Sequence, residues 1–131
     1  KHLADTLAGT NVHLYVVGGA GGLFTDETRT LHVYETPDFP AIYRPLSSAQ
    51  AKSFDEALSP RKDVVWTYVC PAGEFVADGA RTGKYELYGE VFTFNAKGES
   101  VLSYADYAIG MVDLIEDGGY KGERVSLNGA A

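Results

Sequence analysis

Val12-His13-Leu14-Tyr15-Val16-Val17 runs directly into Gly18-Gly19-Ala20-Gly21-Gly22, and this junction is where the chain has the residue types to do chemistry. A β-branched and aromatic stretch halted by glycine reads as a buried strand delivering its carboxyl end into a loop, the place where α/β sheets hold ligands. Glycine lacks a Cβ, so the backbone there is free to take positive φ and to let another group approach the main chain closely. A dinucleotide fingerprint fails on its own spacing: counted from Gly19, the last required glycine falls on Phe24. Thr25-Asp26-Glu27-Thr28-Arg29-Thr30 is then a polar turn, not the amphipathic helix whose amino end would face a pyrophosphate. Three readings stay open: a phosphate grip, a loop that only turns the backbone tightly, and a loop that lines a cofactor site without holding its phosphates.

Other chemistry-bearing residues are sparse. His2, His13 and His32 lack the spacing that metal ligation favours, and Cys70 alone gives them no partner, so no metal site is expected. No Gly-x-Ser-x-Gly elbow is present. Glu74 and Asp78 lie close enough in sequence to pair as acid and base, although a solvated loop accounts for them better. Tyr85, Tyr88 and Tyr107 read as packing residues with a wet hydroxyl.

The elements that must position these groups follow from periodicity. Leu3, Ala4, Leu7 and Ala8 keep helical rhythm, and Gly9 supplies a left-handed stop. The chain opens in that rhythm without an initiator methionine, so the opening turns are expected to end a longer helix that begins upstream. Thr30 to Glu35 reads as a short extended segment, with Asp38 capping a brief helix that reaches Tyr43. A second helix is expected from Ser47 or Ser48 to Leu58, with Ala49, Phe54, Ala57 and Leu58 inward. Val64 to Pro71 is a second buried strand, ending at Pro71-Ala72-Gly73; strand, loop, helix and strand make a right-handed crossover and a parallel pair whose two carboxyl-end loops share one rim. Lys84 to Tyr88 and Val91 to Phe94 alternate at period two around Gly89-Glu90, which predicts a short hairpin or two small strands outside the main sheet. Ser103 and Asp106 resemble a capping box for a helix that places Tyr107, Met111, Leu114 and Ile115 on one face and closes at Asp117-Gly118-Gly119. Arg124 to Leu127 is a last short strand, and Asn128 to Ala131 a polar tail.

With 131 residues, 45% of them hydrophobic, the chain is large enough for one domain with a core. A net charge of -7 opposes nucleic acid and anionic membranes as partners. One cysteine allows no internal disulfide, and no apolar stretch nears the roughly 20 residues of a membrane span. A cytoplasmic protein acting on a small molecule is the expectation.

Several phrases taken together resemble a known family: Val16 to Leu23, Thr36-Pro37-Asp38-Phe39-Pro40, Asp63 to Tyr68, Pro71-Ala72-Gly73-Glu74-Phe75, Arg81-Thr82-Gly83-Lys84-Tyr85, and Ser103 to Ala108. They are similar to the carboxyl-terminal half of an atypical short-chain dehydrogenase/reductase of the NAD(P)H-binding, NADH-flavin reductase and NmrA-like type. The resemblance implies an α/β chain forming the second half of a Rossmann-type NAD(P)-binding domain, mainly parallel, without the half that carries the glycine fingerprint. It implies NAD(P)H as cofactor, FMN or FAD as acceptor, and cofactor contacts from Gly18, Gly19, Ala20, Lys52, Pro71, Ala72, Gly73 and Phe75. The family's Tyr-x-x-x-Lys pair has its nearest counterpart in Ser48 and Lys52, a serine standing where the proton-donating tyrosine belongs. Serine is a poor general acid, so hydride transfer to a conjugated acceptor is favoured over alcohol or ketone chemistry. A non-catalytic NAD(P)-binding redox sensor is the alternative. With its upstream neighbour absent, the first strand would present a bare edge, so self-association or pairing with a missing amino-terminal segment is expected.

Overall fold

Strands buried on both faces need residues that are apolar or fully hydrogen-bonded, and the stretch around Trp66 has them, Thr67 being its one polar member. The computed structural model describes residues 1–131. Its elements in chain order are α1 (His2–Leu7), β1 (His13–Val17), α2 (Arg44–Ser53), β2 (Val65–Cys70), β3 (Glu74–Val76), β4 (Tyr85–Tyr88), β5 (Val101–Ser103), α3 (Tyr104–Asp117) and β6 (Glu123–Gly129). The main sheet has the order β1-β2-β6-β4, with β1, β2 and β6 parallel and β4 antiparallel to β6. A second, two-stranded parallel sheet joins β3 to β5. The architecture is α/β with a mixed, mostly parallel main sheet.

Alternation along β2 divides the core. Trp66, Tyr68 and Cys70 meet Ala4 of α1 and Phe54 and Leu58 at the end of α2. Val69, with Val125 and Leu127 of β6, meets Tyr107 and Leu114 of α3 on the opposite face. Phe54 sets its ring edgewise to Trp66 and Tyr68, with centroids 5.5 and 4.8 Å apart, an arrangement aromatic quadrupoles favour. At α3 the Asp106 amide donates to Ser103 Oγ at 3.0 Å, and Gly118 closes the helix at φ +68. The Asp106 carboxylate, almost fully buried, accepts from Thr82 N, Thr82 Oγ1 and Gly83 N at 2.9, 2.6 and 3.0 Å. Burial alone would raise its pKa; these donors, led by the Thr82 hydroxyl, hold it below the usual carboxylate range.

α1 is held by charge as well as by Ala4. Arg61 reaches Asp5 at 2.6 Å and Asp63 at 2.8 Å, while Gly9, left-handed at φ +72, donates to Asp63 O at 2.7 Å. No helix is long and apolar enough to cross a membrane.

Several expectations are corrected. No hairpin forms: β4 is the edge strand of the main sheet on β6, and Val91 instead makes a single bridge to Phe24. The segment expected to be extended after Thr30 turns into a 3-10 helix at Val33–Glu35, leaving only a His32 bridge to Phe24. Asp38 caps nothing; the short helix Ala41–Tyr43 follows Pro40. α2 begins earlier than Ser47, at Arg44, because Pro45 fits a first helical turn and the Arg44 guanidinium bonds the carbonyls of Tyr34, Thr36 and Phe39. It ends in a π turn, Phe54–Leu58, and buries Ser47 and Ala51 while Ala49 faces out. Ile115 is exposed on α3. Asn128 is no tail residue: it is buried in β6, where its carboxamide accepts from Val101 N and donates to Glu99 O, both at 3.1 Å.

A hydrogen-bonded chain ties β1 to β2. Thr67 Oγ1 donates to Tyr120 O at 2.7 Å, so it accepts from His13 Nε2 at 2.8 Å, which places the imidazole proton on Nε2. Burial, with help from Lys121, pushes the His13 pKa below 6.5. A depressed histidine pKa means the unfolded chain binds the extra proton, so this contribution is complete above pH 6.5 and is lost as pH falls through that value toward the folded pKa. The urea midpoint is expected to drop between about pH 7 and pH 5.5, and His13→Gln to flatten that slope; an unchanged slope in the variant removes His13 as its source.

Candidate functional site

The register Val17↔Val69 continues beyond β1, where Gly18 N donates to Val69 O at 2.9 Å. The loops leaving β1 and β2 therefore start side by side. Between them opens a cleft of about 680 Å³. Its floor is main chain, Gly18 to Gly21 and Pro71 to Gly73. One wall is α2, through Leu46, Ser47 and Gln50; aromatic rings of Phe39, Tyr43, Phe75, Phe92 and Phe94 form much of the rest. A cleft of this size, mostly apolar with a few convergent polar groups, has the character of a small-molecule site.

The glycines serve a different end from the expected one. None of Gly18, Gly19, Gly21 and Gly22 has positive φ, and Gly19 is extended at φ -125. What comes close to the main chain is the protein itself. A Cβ on Gly18 would overlap the Tyr68 ring, one on Gly19 would sit 2.6 Å from Gln50 Oε1, and one on Gly21 would sit 2.5 Å from Ser47 Oγ. The loop passes through a single 3-10 turn, Ala20–Gly22, with no helix amino end behind it. Gly73 follows the same rule, its missing Cβ leaving room for Phe92 at 2.8 Å.

Of the sequence-predicted contact residues, Gly18, Gly19, Ala20, Pro71, Ala72, Gly73 and Phe75 all line this cleft. Lys52 does not: it lies on the exposed side of α2, as does Ser48, because the helix phase turns Ser47 and Gln50 inward instead. Glu74 and Asp78 are exposed and outside the lining. Ser47, Gln50 and the rings of Phe39, Tyr43, Phe92 and Phe94 escaped the sequence reading. One signal for the first two was present: Gly19 and Gly21 in the loop, Ser47 and Gln50 three apart on one helical face.

Phe75 is fixed by Tyr104 and Tyr107, with centroids 4.2 and 5.0 Å away. Phe92 is placed by backbone bonds, Phe24 N to Glu90 O at 2.9 Å and Phe92 N to Phe24 O at 2.8 Å. Glu90 is in turn paired with Arg124 at 3.2 Å. Burial pushes Tyr68 up to about 12, and it raises Tyr107, whose hydroxyl donates to Val69 O at 2.8 Å. Burial likewise pushes the Cys70 thiol up to about 12, so it is no nucleophile near neutral pH. His13 and His32 are engaged in bonds to Thr67 and Gly22 O, away from the cleft. The arrangement can hold and orient a flat ring; among its lining side chains the ionisable ones are Asp38 and Tyr43.

No family model matches the chain. It is 41% identical over 117 residues to the uncharacterized protein YwnB of Bacillus subtilis (strain 168), a match covering 89% of this chain and 54% of that protein. The crystal structure of a Streptococcus pneumoniae TIGR4 protein named "putative NADH-flavin reductase" superposes with a TM-score of 0.94 at 50% identity, over 97% of this chain and 60% of that one. A Bacteroides thetaiotaomicron protein named "putative epimerase" gives a TM-score of 0.83 at 28% identity, covering 94% of this chain and 55% of that one. The chain thus spans between half and two thirds of the length of these relatives, and the α/β arrangement described above is shared with the two solved structures.

The close approaches at the floor make unequal demands. Gly18→Ala drives a methyl into the Tyr68 ring, whereas the nearest atom to a Cβ on Gly22 is Arg124 Nη1 at 3.9 Å. Gly18→Ala is expected to cost about 1–3 kcal/mol, as overpacking does, and Gly22→Ala to stay within about 0.5 kcal/mol. Urea unfolding of the two variants checks this, and equal midpoints would contradict the steric account of Gly18.

Proposed function

We propose that the cleft is the nicotinamide-side wall of an NAD(P)H-dependent reductase, and that this chain is the second half of a Rossmann-type domain, a single folding unit. The observation that carries the reading is the adjacency of the β1 and β2 carboxyl ends over one cleft, since ligands of parallel sheets bind at such ends. Likeness to a protein named for NADH-flavin reductase activity supports it.

The residues present fit one end of the cofactor. A nicotinamide ring is flat, which suits a cleft with a main-chain floor and aromatic walls. Gly18, Gly19, Ala20, Pro71, Ala72 and Gly73 would supply the main-chain surface, with Phe75 beside the ring. The pyrophosphate end finds no counterpart here: the glycine loop leads into no α-helix, and no lysine or arginine lines the cleft. In this reading the cofactor supplies the hydride, and the chain's own residues align two planes and keep water from between them. A flavin or similar conjugated compound suits a lining whose ionisable side chains are Asp38 and Tyr43, because such an acceptor asks little of a protein acid.

β1 has a partner on one side only, and Val17 at its end is 58% exposed. We assign that open edge to further strands of the same polypeptide or to a second copy, since an apolar edge left bare invites pairing. Two measurements test the whole. The 131-residue chain is expected to bind NAD(P)H only at millimolar concentration or weaker in a fluorescence titration, and micromolar binding would overturn the half-domain assignment. The intact protein is expected to oxidise NAD(P)H when a flavin is added; cofactor binding without oxidation would point to a redox sensor instead.

A further inference from the structure

Ser47 is more than nine-tenths buried, yet its hydroxyl makes no hydrogen bond within the chain and lines the cleft. The Gln50 carboxamide, one helical turn on, lies over Gly19 at the same wall. Together they set a hydroxyl and an amide, each both donor and acceptor, along one edge of the space. The Ser47 oxygen has no partner within the chain and is reachable from the cleft, so it is free to hydrogen-bond a ligand seated there. Around that edge stand Phe39, Tyr43, Phe92 and Phe94, with Tyr43 and Phe94 58% and 62% exposed. Large exposed rings gathered at one opening mark a binding surface. The charge of the lining is one-sided: Asp38 is its single carboxylate, and it contains no lysine, arginine or histidine.

We propose that this cleft takes an uncharged planar heteroaromatic ring with a lactam or imide edge, and that Asp38 turns away the phosphorylated form of the same ring. The proposal rests on the reading of the cleft as the place where nicotinamide and acceptor meet, and it specifies the acceptor's side of it. An imide edge alternates acceptor, donor and acceptor, which Gln50 and Ser47 can meet without any charge. Stacking on the aromatic walls supplies most of the affinity, since face contact between rings does not depend on substituents at the far end. A phosphate on such a ligand would find repulsion from Asp38 and no cation in the lining. Because Asp38 is exposed, that repulsion is screened by water and salt, which sets its size at a few-fold.

Riboflavin and FMN carry the same ring and differ by one phosphate, so they are the probes. The chain is titrated with each, following quenching of flavin fluorescence, at low and at raised ionic strength. Riboflavin is expected to bind about three- to tenfold tighter than FMN at low salt, with the gap closing as salt is added. Asp38→Asn is expected to strengthen FMN binding and leave riboflavin unchanged, whereas Glu116→Gln, on the exposed side of α3, moves neither. Ser47→Ala is expected to weaken both flavins alike. Equal affinities in the unaltered chain at low salt, no response of FMN to Asp38→Asn, or no binding of either flavin would each overturn the proposal. Failure of the reductase reading has a different signature: selective riboflavin binding with no oxidation of NAD(P)H by the intact protein.

Discussion

The close passage of the glycine loop beneath the amino-terminal half of α2 is the constraint on which the site depends. β1 and β2 must pair in parallel for their tips to meet, and parallel pairing requires a crossover that returns over the sheet. α2 is that crossover, reached through the irregular segment 23–43. With side chains at Gly18, Gly19 and Gly21, Tyr68, Gln50 and Ser47 could not keep their present places. The missing methyls let α2 descend until its polar face meets the main chain, and that descent draws the hydroxyl of Ser47 into the cleft. Arg44 sets the other end of the movement by bonding three carbonyls of the segment that brings in Phe39. One helix therefore organises floor, wall and rim.

Much of the frame was legible because the physics was local. β1 and β2 stand out as apolar runs ending at glycine or proline, and their parallel pairing follows from the helix between them. The Ser103 cap was legible from the three-residue step to Asp106, which is the reach of a hydroxyl to an orphan amide. Where the partner is distant in sequence, legibility ends. Tyr85 to Tyr88 alternates like a hairpin arm, but its partner is the end of β6, reached only after α3. Asn128 looks like tail because asparagine is polar; its burial becomes reasonable once the chain entering β5, with the Val101 amide and the Glu99 carbonyl to satisfy, lies against it.

The site divides in the same way. Seven of the eight predicted contact residues line the cleft: six belong to the loops leaving β1 and β2 and one, Phe75, to β3 directly after the second loop, so their position follows from topology. The exception, Lys52, depends on the rotational phase of α2. That phase follows from a start at Arg44, a residue whose anchoring partners lie in an irregular segment no periodicity describes. Phe92 and Phe94 share the difficulty: they reach the cleft through the bridges between Phe24 and its neighbours, which join loop to loop.

The one buried cation near the cleft shows why its lining stays free of positive charge. Arg124 stands on β6 beside Tyr68, and its guanidinium lies 4.2 Å from the centroid of Phe54 and 5.4 Å from that of Phe24. Such a cation is costly to bury without a counter-charge, and Glu90 provides one at 3.2 Å. Packed against two rings and paired with a carboxylate, Arg124 does not line the cleft. It acts on the cleft at one remove, because Glu90 belongs to the segment that bonds Phe24 and delivers Phe92 to the wall. The positive charge beside the cleft is thus spent on holding an aromatic surface in place, and the one charged residue in the lining is Asp38.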